Sequence, residues 1–164
     1  MANYKIICED TYGKEFFKKL TEKLKKQNRI SKSLSIDVTH LNSTKCNSKL
    51  TRVIKANIDE YDKIIIITDA DGQDKNEILE KVKRHIPDEY ENRIRVIILD
   101  YSIEDWIYVG LGDSFSKSKK PLEILKEKYN YEKFHLPKYV EEINIEDLQN
   151  FPSFRDFLNR LNCA

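Results

Sequence analysis

The chain has 164 residues, 35% of them charged and 40% apolar, with a formal net charge of +1. That length suits one domain with a real core, and that composition suits a soluble globular protein. A near-neutral protein has no global pull on nucleic acid, so any basic binding surface must be local. Three cysteines, Cys8, Cys46 and Cys163, with no Cys-x-x-Cys pair, argue against a disulfide framework or a thiolate zinc site. The amino terminus enters a strand without a signal-peptide apolar region, and no run reaches membrane-spanning length. The expected location is the cytoplasm, with no membrane partner.

Residues 4–8 read as a short buried strand in which Cys8 is a small hydrophobe. Residues 14–27 carry Phe16, Phe17, Leu20 and Leu24 at helical spacing. Ser33 to Leu41 alternates apolar and polar, as a half-buried strand does. Leu50, Val53, Ile54 and Ile58 mark a second helix. Residues 63–68 form the most apolar run and predict a central parallel strand. Ile78, Leu79, Val82 and Ile86 mark a third helix, stopped before Pro87. Arg95 to Leu99 reads as a fourth strand, and Ile103, Trp106, Ile107 and Leu111 line a short helix, with Trp106 at core spacing. This alternation predicts an α/β fold: a Rossmann-like open, mainly parallel sheet with helices on both faces.

Ser114 to Lys120 reads as a flexible basic connection. A helix near Pro121, an irregular stretch over 130–150 and a helix after Pro152 complete the chain. The expected division is an α/β core over residues 1–113 and an extension over 114–164 that packs on it, within a single domain.

Two strands end in acid. Tyr4 to Cys8 is followed by Glu9 and Asp10; Lys63 to Thr68 is followed by Asp69-Ala70-Asp71-Gly72. In a parallel sheet both tips lie on the carboxyl edge, where such folds bind ligands. Two carboxylates ~5 Å apart repel by about 3 kcal/mol at an effective dielectric of 20. A hard divalent cation relieves that repulsion and also accepts phosphate oxygens. Asp69, Asp71 and Glu9 are therefore the candidate ligands for Mg²⁺ or Mn²⁺. Asp-Gly is also a common turn pair, Asp74 and Glu77 fit a helix cap, and Asp10 or Thr11 could cap the first helix. Asp100, at the tip of the fourth strand, and Glu104 are supplementary candidates on the same edge, although Ser102-Ile103-Glu104-Asp105 also fits a capping box.

His40 ends the second strand near these tips; His85 and His135 show no metal-ligand spacing. Lys45 and Lys49 could present charge to a phosphate, as could Lys117, Lys119 and Lys120 in the basic connection, though solvated faces explain them equally well. No Gly-x-Gly-x-x-Gly or Gly-x-x-x-x-Gly-Lys loop is present, which weakens dinucleotide or P-loop binding.

A Glu ending the first strand, with Asp-x-Asp after a strongly apolar strand further on, resembles the Toprim domain shared by topoisomerases, bacterial-type primases and OLD-type nucleases. The likeness covers roughly residues 4–110. Glu9 matches the motif Glu, which the resemblance makes the candidate catalytic general acid or base, and Asp69 and Asp71 match the Asp-x-Asp pair, which it places on the metal. Ile6 to Phe17 is similar to the opening of small standalone Toprim-like proteins, and Ser102 to Ile107 is similar to a Glu-x-Trp segment of that group. The resemblance implies Mg²⁺ held by the acids and phosphodiester cleavage or nucleotidyl transfer on DNA or RNA, alone or with a protein partner. Asp10 and Thr11 stand where a Gly is common beside the motif Glu. The length leaves no room for a topoisomerase's tyrosine domain.

Asp69-Ala70-Asp71-Gly72 also resembles the signature of haloacid-dehalogenase-like phosphatases. That motif belongs after the first core strand, and Glu9 would then lack a role. A receiver-type phosphoacceptor would use Glu9, Asp10 and Asp69 as an acidic pocket. A non-catalytic nucleic-acid- or partner-binding protein is the remaining alternative.

Overall fold

The structure is a computed structural model that describes residues 2–45 and 48–162; Cys46 and Cys163 lie outside the described residues. Strands β1 (Asn3–Cys8), β2 (Ser35–His40), β3 (Lys63–Asp69) and β4 (Ile94–Leu99) form one sheet in the order β2-β1-β3-β4. Every pairing is parallel. Helices α1 (Gly13–Lys26), α2 (Lys49–Asn57), α3 (Lys75–Lys83) and α4 (Glu104–Gly110) follow the successive strands. The carboxyl-terminal part adds α5 (Pro121–Tyr129), a 3-10 helix (Lys133–Val140), α6 (Ile145–Leu148) and α7 (Pro152–Asn162). The expected α/β architecture is observed.

Side-chain alternation along each strand sorts the core into two faces. Ile7, Ile64 and Ile66 face α2 and α3 through Leu50, Ile54 and Val82. Ile6, Cys8, Ile65 and Ile67 face the other way, toward Phe16, Phe17, Leu20 and Leu24 of α1. Trp106, Phe154 and Phe157 complete that second face, so the carboxyl-terminal helix shares the core of the sheet. Trp106 is fully buried, with ring centroids 5.0 Å from Phe154, 5.2 Å from Phe157 and 5.9 Å from Phe17. Its indole N–H donates to Ser153 Oγ at 2.9 Å, which satisfies its only polar atom.

Gly13 lets α1 begin directly over the end of β1. A Cβ there would sit 2.7 Å from Cys8 Sγ, so any larger residue would push the helix off the strand. Burial, with Asp10, Asp69 and Glu9 nearby, pushes the Cys8 thiol up to about 12; it packs and does not react. Among the described residues, no helix is long and apolar enough to cross a membrane.

Sequence and structure differ at two helix starts. Ile103, not Ser102, precedes the first turn of α4, and no side chain caps that helix. Tyr12 precedes α1, again without a side-chain cap. Asp10 and Glu104 instead reach Lys133 from the carboxyl-terminal part, although Asp10 also accepts the Tyr12 amide and Asp105 the Tyr101 amide. Asp74 does cap α3, accepting from the amides of Asn76 and Glu77.

Candidate functional site

The strand order places a topological switch between β1 and β3. The chain passes from β1 outward to β2, then returns to the opposite side of β1 as β3. In open α/β sheets, ligands bind outside the carboxyl ends of the strands at such a point. Cys8 pairs with His40 on one side and Ile67 on the other. Glu9 therefore emerges between the ends of β2 and β3, with Asp69 alongside.

Glu9 reaches across the switch. Its Oε1 accepts the amide of Asp69 at 2.8 Å and its Oε2 accepts the amide of Thr44 at 3.0 Å. His40 Nε2 lies 3.1 Å from the Glu9 carbonyl oxygen. The Thr44 hydroxyl meets the Thr68 hydroxyl at 2.6 Å. One carboxylate thus ties together the loops after β1, β2 and β3. Lys45 joins them: its Nζ donates to the Asp69 carbonyl oxygen at 2.6 Å and lies 3.7 Å from Glu9 Oε1.

A second group of polar side chains lies beside the first. Glu104 is fully buried. Its Oε1 accepts from Ser102 Oγ at 2.9 Å and Lys133 Nζ at 2.7 Å, and its Oε2 accepts from the Tyr131 hydroxyl at 2.9 Å. Lys133 also reaches Asp10 Oδ2 at 3.0 Å. Asp10 Oδ1 accepts the amide of Tyr12 at 2.8 Å. The capping roles suggested for Asp10 and Glu104 give way to this network. Burial works against the charge on Lys133, but Glu104 and Asp10 outweigh it and hold the ammonium up to about 12. Burial, aided by Glu104, raises the Tyr131 phenol, which stays a hydrogen-bond donor.

Asp69 sits between the two groups. Among the described residues its carboxylate takes part in no hydrogen bond or ion pair. Burial first, then the charges of Glu9, Glu104 and Asp71, push it up to about 8, against a smaller opposing pull from Lys133. Asp71 follows in the left-handed region, φ 51°, and pairs at 3.7 Å with Lys120. Gly72, at φ 81°, completes the turn; a Cβ there would meet the Tyr101 ring at 2.8 Å.

The remaining sequence candidates fall further out. Asp100 pairs with Lys75 at 3.1 Å. Lys49 opens α2. Lys117 and Lys119 lie in the connection that precedes α5, which is held rather than loose. The Tyr101 hydroxyl donates to the Lys117 carbonyl oxygen, and Phe115 packs on Phe151 at 5.2 Å. Asp105 is buried on the same edge, with Oδ2 accepting the Tyr101 amide at 2.8 Å and Oδ1 without a hydrogen-bond partner among the described residues. Burial pushes it up to about 7.

Sequence reasoning missed Lys133 and Tyr131. No short-range pattern marks them, because they meet the acids only through the packing of the carboxyl-terminal extension. The acidic strand tip looked uncompensated because residues 64–74 contain no Lys or Arg. In space, Lys45, Lys120 and Lys133 approach from three separate segments.

A hard cation suits this donor set in chemistry: the unpartnered Asp69 is a carboxylate oxygen donor made costly by its anionic neighbours. Among the described residues, no three acidic, imidazole or thiol side chains converge closely enough to hold an ion; Glu9 faces two amides, and Glu104 two hydroxyls and a lysine. A groove with a cavity volume of about 600 Å³ runs along the outer edge of β4, lined by Leu79, Ile94 and Val96 among others; none of Glu9, Asp69, Asp71 or Glu104 lines it.

No family model matches the chain, and no curated protein matches it. Among solved structures, the C-terminal region of the OLD protein of Burkholderia pseudomallei has a TM-score of 0.59 at 14% identity, covering 98% of this chain and 97% of that one. The TIR domains of the activated Roq1 resistosome align at 11% identity over 96% of each chain, with a TM-score of 0.31, too low to bear on the fold. The first likeness shows that this chain has the fold of the OLD region, and OLD-type nucleases belong to the group that the Glu9 and Asp69-x-Asp71 pattern resembles. Sequence pattern and structure agree on a Toprim-like fold.

Proposed function

We propose that this protein is a Toprim-like, Mg²⁺- or Mn²⁺-dependent enzyme that cleaves phosphodiester bonds or transfers nucleotides on DNA or RNA. The observation that carries this reading is the meeting of Glu9 and Asp69, sixty residues apart, at the switch point of the sheet, joined by a hydrogen bond of 2.8 Å.

Asp69 and Asp71 would hold the ion, with Glu9 beside them. When bound, the ion polarises the phosphoryl group and neutralises developing charge. Each oxygen of Glu9 accepts one amide hydrogen, which fixes the backbone from which Asp69 projects, and the second lone pair on each oxygen would take a proton or face the metal. Lys133, gripped by Glu104 and Asp10, supplies a placed positive charge for an incoming phosphate. Asp69, raised to about 8, gives up a proton when a cation arrives.

The test is incubation with labelled single- and double-stranded DNA and RNA, with and without Mn²⁺. Cleavage or transfer that needs Mn²⁺ and is lost in Asp69→Asn supports the reading. Metal-dependent turnover that survives Asp69→Asn would overturn the site, and absence of turnover on all four substrates would overturn the activity.

A further inference from the structure

Among the described residues, three large apolar side chains are exposed: Tyr12 at 39%, Tyr129 at 40% and Phe134 at 50%. Isolated exposed aromatics are ordinary. Each of these three lies within two residues of a member of one polar network. Tyr12 is two residues from Asp10, Phe134 is next to Lys133, and Tyr129 is two residues from Tyr131. Asp10, Lys133 and Tyr131 are members of the network around Glu104. The Asp10–Lys133 ion pair of 3.0 Å draws the segment bearing Tyr12 and the one bearing Phe134 together at the acidic edge.

The chain from 126 to 139 carries the cations Lys126, Lys128, Lys133 and Lys138 and the rings Tyr129, Tyr131, Phe134 and Tyr139, with Glu127 and Glu132 between them. Lys128 lies 5.4 Å over the Tyr129 ring and 3.4 Å from Asp113. The rings of this segment form a connected series. Phe134 lies 4.2 Å from His135, His135 6.2 Å from Tyr131, and Tyr131 5.5 Å from Tyr139, centroid to centroid. Lys126, Lys128 and Lys138 are exposed. Leu136, Pro137 and Val140 of the 3-10 helix are buried, so the helix has a core side of its own and Phe134 is left to solvent.

We propose that Tyr12, Phe134 and Tyr129 form a stacking surface for unpaired nucleobases, which makes single-stranded nucleic acid the substrate class of the acidic site. The inference rests on the proposed function above and narrows it. Aromatic faces accept any unpaired base, whereas bases in a duplex keep their faces on one another; cations beside the rings hold the phosphates. A duplex reader would instead need a side-chain set on a helix or ribbon that fits a groove.

The experiment is fluorescence anisotropy with labelled oligo-dT, oligo-U and a duplex, in an Asp69→Asn background so that every probe stays intact. Single strands should bind more tightly than the duplex, and the ratio of oligo-dT to oligo-U distinguishes DNA from RNA. Phe134→Ala should weaken single-strand binding about tenfold, with Tyr12→Ala and Tyr129→Ala adding to the loss. Phe134→Trp should retain affinity. Duplex affinity should stay unchanged, and Tm should fall far less than single-strand affinity, since 39–50% of each residue is open to solvent. Alanine variants that bind single strands like their parent, an equal loss for duplex, or no binding of any oligonucleotide would each overturn the stacking surface. Turnover separates this inference from the wider reading. An active enzyme with ring-independent affinity keeps the activity and loses the surface, whereas an inactive protein with ring-dependent affinity does the reverse.

Discussion

Glu104 and Asp69 are two carboxylates on the same sheet edge, and they are treated in opposite ways. Glu104 is fully buried and receives a serine hydroxyl, a tyrosine hydroxyl and a lysine ammonium. Asp69 has like charges around it and, among the described residues, no partner for its carboxylate. A carboxylate that is fully paired holds structure, because its anion is already stabilised. A carboxylate left unpaired beside other anions is costly to the fold, and that cost becomes binding energy when a cation or proton arrives. On the proposed function, this contrast assigns the chemistry to Asp69, while Glu104 is the post that holds Lys133 in place.

The strongest attack on this contrast is Asp69→Asn. Turnover in Mn²⁺ should fall by about 10²–10⁴, the range for loss of a positioned acid-base group or its equivalent, while the fold is kept. The corresponding change at the post, Glu104→Ala, should do the opposite first. It leaves Lys133, the Tyr131 hydroxyl and the Ser102 hydroxyl facing a hole. Breaking a buried pair costs about 3–5 kcal/mol; the lower end applies because Lys133 is partly exposed and can turn to water. Urea denaturation measures this, and a Glu104→Ala protein as stable as its parent would remove the structural role assigned to Glu104.

Glu9 stands between the two extremes. It is held by the amides of Asp69 and Thr44, so it shapes the site as well as belonging to it. In Glu9→Gln one amide keeps its oxygen partner and the other faces an NH₂ group. A buried donor left without its acceptor costs about 1–3 kcal/mol. The variant should lose stability as well as turnover, and Glu9→Gln activity has to be read at a temperature where both proteins are folded. A variant with unchanged stability would show that the amide bonds contribute little.

Much of this arrangement was written in the chain. The isoleucine run 64–67 and the Phe16, Phe17, Leu20, Leu24 stripe are periodic signals, and they produced β3 and α1 where the periodicity placed them. The acidic strand tips were legible because a parallel sheet with short crossovers brings carboxyl ends together. Of the cations at this edge, Lys45 and Lys120 were legible as candidates, whereas Lys133 was not. Lys133 contacts Asp10 across 123 positions and Glu104 across 29, and such contacts depend on how the irregular stretch after α5 docks on the sheet. The capping reading of Ser102 to Asp105 failed for the same reason: a local hydrogen-bond pattern cannot reveal that a more distant Tyr and Lys compete for Glu104.

The mildest test uses pH and sets Asp69 beside Asp105, the other acid on this edge whose carboxyl is raised. In the folded protein Asp69 is pushed up to about 8 and Asp105 up to about 7, from the ordinary value of 3.8. An acid raised on folding holds its proton in the native state where the unfolded chain has already lost it. Stability then falls as pH rises, because the unfolded state binds fewer protons. Each penalty is absent below about pH 4, grows through the interval between the two values, and is complete above the folded one. Between pH 4 and 7 both acids contribute, whereas between pH 7 and 8 only Asp69 does. Asp69→Asn should therefore flatten the metal-free Tm profile up to pH 8. Asp105→Asn should flatten it only up to pH 7, and its amide oxygen can still accept the Tyr101 amide. Added Mn²⁺ should raise the Tm of the parent most at the alkaline end, where no proton has to leave Asp69, and should do the same in Asp105→Asn but not in Asp69→Asn. Were the Asp69→Asn protein to show the parent's slope between pH 7 and 8, the cost of the unpaired carboxylate would lie elsewhere, and the contrast with Glu104 would lose its physical basis.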